Sequence, residues 1–233
     1  MISQKKNFLF IHLPKTGGNS IQNILRDYSE DSIVKLNKHQ DGIERFGVHN
    51  DKYNIKKHST LDHYKKKIEP EIFKKFFKFS TIRNPWDRCI SFYFSPHRGN
   101  IVWNRNDFKN LIQSIPTIRK FITTRSLTKK IIDKITGKLR IEIKSSKSID
   151  SEIDFLIRFE NLNEDFKKVC EIIDIPFKEL PHRNKSSKKH YTEYYDDELI
   201  ELVRNKFLDE IKYANYKYGE NNSAQSSRRP RQL

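Results

Sequence analysis

The chain has 233 residues, somewhat more than the ~150 of a common domain, so a single domain with appendages is expected and two independent cores are not. Its 46 Lys and Arg against 30 Asp and Glu leave a formal charge of +16, which excludes a cationic partner and favours anionic ones, although lysines scattered over solvated faces account for most of the excess. The hydrophobic share is lean at 35%, yet 16 Phe, 10 Tyr and 2 Trp bury much area per residue, so a packed core is expected and wholesale disorder is not.

Met1 to Lys6 lead into a short apolar segment without the hydrophobic stretch or cleavage site of a secretory leader. No apolar run reaches the ~18 residues of a membrane span, so a soluble, cytoplasmic protein is expected. Asn7 to His12 (NFLFIH) reads as a strand, closed by Leu13-Pro14 and followed by Lys15-Thr16-Gly17-Gly18. Asn19 or Ser20 is then placed to cap a helix with Ile21, Ile24, Leu25 and Tyr28 on one face. Residues 35 to 57 read as polar and irregular. Thr60 to Glu69 reads as a short helix and Lys74 to Arg83 (KKFFKFSTIR) as a second strand, after which Pro85 suits the first turn of a helix carrying Trp86, Cys89, Ile90 and Tyr93.

Asn106 to Lys134 reads as mainly helical. Asp154 to Phe159 reads as a third strand that feeds a helix with Phe166, Val169, Cys170 and Ile173 at helical spacing. Cys89 and Cys170, the only cysteines, are expected in the core, since two thiols build neither a disulfide framework nor a metal cluster. A last helix is expected over Asp196 to Ile211, with Leu199, Leu202, Val203 and Phe207 inward. Alternating strands and helices predict an α/β domain over 1–218, a parallel sheet covered by helices on both sides. Residues 219–233, basic and aperiodic, are expected to be a disordered tail.

Two segments carry chemistry. Pro14-Lys15-Thr16-Gly17-Gly18-Asn19-Ser20 lies between a strand and a helix, where glycines permit a sharp turn, the helix start presents N–H groups, and Lys15 adds a full positive charge; that is a phosphate cradle. It is not the Walker pattern, because Lys15 precedes the glycines, and no dinucleotide fingerprint is present. An ordinary capped Gly-Gly turn is the plainer account. In Ser80 to Arg88, continuing to Ser91 and Tyr93, Arg83 stands at a strand end and Ser91 two turns into the next helix, so a guanidinium and a hydroxyl converge on one anion. A surface pair made by Asp87 or Arg88 is the plainer account there.

Together FIHLPKTGGNS and FSTIRNPWDRCISFY, supported by RFENLNEDF and LPHRNKSSKKHYTEYY, resemble the PAPS-dependent carbohydrate sulfotransferases, in particular the branch containing heparan sulfate 2-O-sulfotransferase, over roughly Phe8 to Tyr218. The resemblance implies a P-loop-NTPase-like fold and PAPS as the sulfuryl donor, with no metal. Lys15, Thr16, Gly17, Gly18, Asn19 and Ser20 would hold the 5′-phosphosulfate, Lys15 acting catalytically as well. Arg83 and Ser91 would hold the 3′-phosphate, and Asn184 and Ser186 would touch the donor from a closing loop. The family's base, commonly a His, lies after the first helix. His58 matches that position best, with His49, His63 and Glu44 left open.

Glu160 is expected to be structural, capping or orienting the helix after it. The acceptor implied is a hydroxyl, or with less support an amine, of an anionic or carbohydrate-like molecule facing residues 35–57 and 99–147. The expected lack of a membrane anchor departs from Golgi-resident relatives and points to a small saccharide, glycolipid or capsular precursor. Two other classes compete: a kinase with a variant phosphate loop, for which no magnesium carboxylate is evident, and a basic nucleic-acid-binding protein, for which no reading motif is evident. The oligomeric state is not legible.

Overall fold

The structure, a computed structural model, describes residues 1–38, 44–95, 98–99, 101–124, 152–180 and 189–220. In chain order the first half contains β1 (Ile2–Ser3), β2 (Phe8–Ile11), α1 (Gly18–Leu25), β3 (Ser32–Lys38), β4 (Glu44–Asn50), β5 (Ile55–Lys56), α2 (Leu61–Lys67), α3 (Pro70–Lys75), β6 (Phe77–Ile82) and α4 (Pro85–Tyr93). The second half contains α5 (Arg105–Ser114), α6 (Arg119–Ile122), β7 (Phe155–Arg158), α7 (Leu162–Ile172), α8 (Asp197–Lys206) and α9 (Leu208–Ala214).

The principal sheet has the order β1-β2-β6-β7. β2, β6 and β7 run parallel, with Ile11 level with Ser80 and Ile82 level with Arg158, so their carboxyl ends form one edge. The strands FLFI, FKFSTI and FLIR are buried almost throughout, polar positions such as Lys78, Ser80 and Arg158 included, because both faces of the sheet are covered. Successive side chains serve opposite cores. Phe8 and Phe10 join Ile21, Ile24, Phe79, Phe166, Val169 and Cys170 on one side. Leu9 and Ile11 join Ile82, Trp86, Cys89, Tyr93, Phe108, Leu199, Val203 and Phe207 on the other.

The single α/β domain agrees with the sequence reading, as do the three parallel strands and the burial of both cysteines. Four local expectations need correction. β1 adds an antiparallel edge, Ile2 opposite Leu9, so the sheet is mixed. Where residues 35–57 are described they are not irregular: β3, β4 and β5 make a separate antiparallel sheet. Such a sheet reads as polar in sequence because one face is solvated; Val34 is exposed while Val48 is buried. α3, opened by Pro70 at its start, takes the residues assigned to the beginning of the second strand. The last helix is two, interrupted at Phe207, whose buried ring anchors the break. Among the described residues no helix is long and apolar enough to cross a membrane. Residues 221–233 of the expected tail lie outside the described residues.

Candidate active site

The donor loop begins where β2 ends. Two residues in left-handed conformation, Lys15 (φ 67°) and Gly17 (φ 83°), curl the chain so that α1 starts at once, with its amino end at the sheet's carboxyl edge. Gly17, not Asn19 or Ser20, is the residue before the helix, and no side chain caps it; Asn19 is exposed and Ser20 buried in the first turn. A side chain at Gly17 would be strained by its φ and would press on Phe159 and Leu162. Thr16 is fully buried and turns its hydroxyl inward, donating to the Leu13 carbonyl at 2.8 Å and sharing a hydrogen bond with Thr81 of β6. Its hydroxyl staples the loop to the neighbouring strand, which leaves the backbone as its contribution to an anion.

Arg83 leaves the end of β6 toward that loop. Its Nε and Nη2 donate to Asp87 Oδ2, at 2.8 and 2.7 Å, and Nη1 donates to the Lys15 carbonyl at 3.2 Å. The guanidinium carbon lies 3.9 Å from the centre of the Phe159 ring. Arg83 therefore ties the two expected anion-binding segments into one edge, held flat by a ring contributed from beyond β7. The pair with Asp87, the plainer account of this segment, is present but only 14% of the Arg83 side chain is exposed, so it lies within the edge and not out on the surface. Ser91 stands two turns along α4, half-buried.

Asn84 caps α4, its Oδ1 accepting from the backbone N–H of Trp86 at 3.0 Å and of Asp87 at 3.5 Å. Glu160 then departs from expectation. It does not cap its own helix: Oε1 accepts from the Asn84 backbone N–H at 2.6 Å and Oε2 from the Tyr216 hydroxyl at 3.0 Å. Burial raises its pKa, against the opposing pull of those donors and of Arg83.

Arg88 was legible only as a possible surface partner. It is buried, with Nε donating to the Pro14 carbonyl and Nη1 to that of Pro116, each at 3.2 Å, so it braces the donor loop from behind. A five-donor side chain beside a carbonyl-lined turn has the chemistry for this, but periodicity alone gave no sign of it.

Of the three candidate histidines, His58 is the one joined to the donor strand. Its Nδ1 lies 3.2 Å from the His12 carbonyl, and the two rings are 4.7 Å apart between centres. Although the residue retains substantial exposure, partial desolvation lowers its pKa, with Lys57 adding to the fall and the His12 carbonyl opposing it. His49 pairs with Asp51 at 3.1 Å, and His63 Nε2 lies 2.9 Å from the Asn54 carbonyl. Glu44 opens β4. Asn184 and Ser186 lie outside the described residues.

The sequence matches the model for the Sulfotransferase family over residues 1–217, a span that takes in the donor loop, His58 and the Arg83 segment. The chain belongs to the sulfotransferase family. No curated protein and no solved structure gave a match. In this sulfotransferase the motif residues on β2, β6 and their loops were visible in the sequence. The supports beneath them, His12, Arg88 and the two-way grip of Glu160, were not, because each acts through a partner brought in by tertiary packing.

Proposed function

We propose that this sulfotransferase carries a sulfuryl group from PAPS to a hydroxyl of an anionic, carbohydrate-like acceptor, with His58 as the base. The observation that carries the reading is the bond from Arg83 Nη1 to the Lys15 carbonyl, since it makes one continuous edge of the segments suited to the two ends of the donor. The residues fit such a ligand. Gly17 to Asn19 offer the backbone N–H groups of a helix start, Lys15 stands before them, and Arg83 presents a fixed planar guanidinium with N–H groups beyond those it uses internally.

PAPS supplies, when bound, a sulfuryl group attached to a phosphate that departs readily. Lys15 neutralises charge that grows on the departing phosphate oxygen, as preorganised electrostatic catalysis requires. His58 donates through Nδ1 to the His12 carbonyl, so its Nε2 lone pair is free to take the acceptor's proton as the new S–O bond forms. Lys52, Lys56 and Lys57 precede His58 in the chain, on β5 and its flanks, and suit an acceptor that carries negative charge.

The test is a thermal-shift comparison of PAP, AMP, and ATP with magnesium. A ligand specific to the folded state stabilises by about 2.7 kcal/mol at a hundredfold excess over Kd, and PAP should do so while AMP, lacking the 3′-phosphate, does far less. Greater stabilisation by ATP with magnesium than by PAP would overturn the reading.

A further inference from the structure

His12 stands within FIHLPKTGGNS but outside the residues expected to hold the donor, Lys15 to Ser20, and it is the residue through which that segment touches His58. It is 4% exposed at the end of β2, with the Phe10 ring stacked on it at 6.1 Å and 17° and the His58 ring at 4.7 Å. Its imidazole occupies the space a side chain at position 18 would need: a Cβ on Gly18 would lie 2.2 Å from His12 Cδ2 and 2.5 Å from Nε2. The second glycine of the donor loop is thus required by the ring beneath it. His12 Nδ1 and both amide atoms of the fully buried Gln22 make no hydrogen bond of good geometry, although the Gln22 side chain stands near enough to the His12 ring to act on it.

We propose that His12 is a positioning residue for proton transfer: its carbonyl fixes His58 with Nδ1 as donor and Nε2 bare, and its ring, wedged against Gly18, seats the His58 imidazole. The inference rests on the reading of His58 as the base. Charging the buried His12 ring would be costly, so a proton accepted by His58 remains there and does not pass to the ring beside it. Burial, then the nearness of His58 and Lys57, depress the His12 pKa well below the ordinary range, against a smaller upward pull from the Gln22 side chain, in keeping with a neutral ring. The charged groups that face the pair are Lys57 and, across β2, the Met1 ammonium.

The role needs an aromatic ring and a backbone carbonyl but no ring nitrogen, which sets the experiment. Histidine-labelled protein is titrated by NMR, and kcat and KM for PAPS are followed against pH, in the wild type and in His12→Phe and His12→Ala. The wild type should show His58 as the Nδ1-protonated tautomer, titrating below 6.5. His12→Phe should keep that tautomer and titration, with kcat within about threefold. His12→Ala should let the His58 titration rise toward the ordinary histidine value and lower kcat about tenfold, with KM for PAPS unchanged. If His12→Ala does not fold, His12→Leu keeps apolar volume without a ring face and gives the same readout. The proposal is overturned if the ring-less variant leaves both the His58 titration and kcat unchanged, or if His12→Phe loses as much as His12→Ala. Full activity in His58→Ala would instead overturn the choice of base, whatever the titrations show.

Discussion

Replacing Gly18 with Ala tests how closely the donor loop is built on His12. Gly18 is not left-handed, so alanine meets no backbone strain there, and relative to glycine it should favour the helix by about 0.5–1 kcal/mol. Against this, the new Cβ would stand 2.2, 2.5 and 3.0 Å from three atoms of the His12 ring, where ordinary contact begins near 3.4 Å. The ring must retreat by about an ångström, with Phe10 on one side and His58 on the other. Overpacking of this kind costs about 1–3 kcal/mol, which outweighs the helix preference; a net loss near 1–2 kcal/mol lowers Tm by roughly 2–8 °C in a domain of this size. Denaturation of the wild type, Gly18→Ala, His12→Ala and the double variant completes a double-mutant cycle. A small residue at 12 should relieve the clash, giving a favourable coupling of about 1–2 kcal/mol. Gly18→Ala as stable as the wild type, or a cycle additive within about 0.5 kcal/mol, would refute the wedge.

Arg83→Ala should weaken PAP about 10- to 100-fold, as expected for one charge-assisted contact, and AMP much less; calorimetric titration of both ligands checks it, and an unchanged preference for PAP would remove Arg83 from the 3′-phosphate. Because the His12 pKa is depressed in the fold, the unfolded chain takes up a proton near pH 6.5 that the folded chain refuses, so this residue's contribution to stability is lost as pH falls below about 6.5, by at most ~1.4 kcal/mol per unit. His12→Phe should flatten that slope in urea denaturation compared at pH 7 and pH 5. Glu160→Ala strands the Asn84 N–H and the Tyr216 hydroxyl and should cost about 2 kcal/mol, seen as a Tm lowered by roughly 4–8 °C, with Glu160→Gln milder because an acceptor for Asn84 remains.

The strands of the main sheet were readable because a doubly covered parallel sheet favours short segments rich in large apolar residues, and NFLFIH, FKFSTI and DFLIRF are such segments. The helix after Arg83 was readable from Pro85 and the spacing of Trp86, Cys89, Ile90 and Tyr93, all of which are buried. The second sheet was not, since a strand solvated on one side carries as many polar residues as a loop. Nor does periodicity reveal a helix broken at a residue that is itself core, as Phe207 is. At the candidate site, the expectation of an anion cradle over Pro14 to Ser20 came from composition alone, but the separate reasons for its glycines were not legible. Gly17 answers to a left-handed turn and Gly18 to a ring four residues from the start of β2, a fact of packing with no local signature.

The two oxygens of Glu160 reach partners 76 residues earlier and 56 residues later in the chain. Contacts of such separation close only after the intervening chain has been ordered, and the entropy of that closure delays them relative to helices and hairpins. The turn that sets Arg83 and the start of its helix is therefore completed by long-range contacts. During refolding, recovery of PAP binding should lag behind recovery of the helical circular-dichroism signal, and Glu160→Ala should bring the two closer in time: competence to hold a nucleotide is acquired last, as the closing act of assembly.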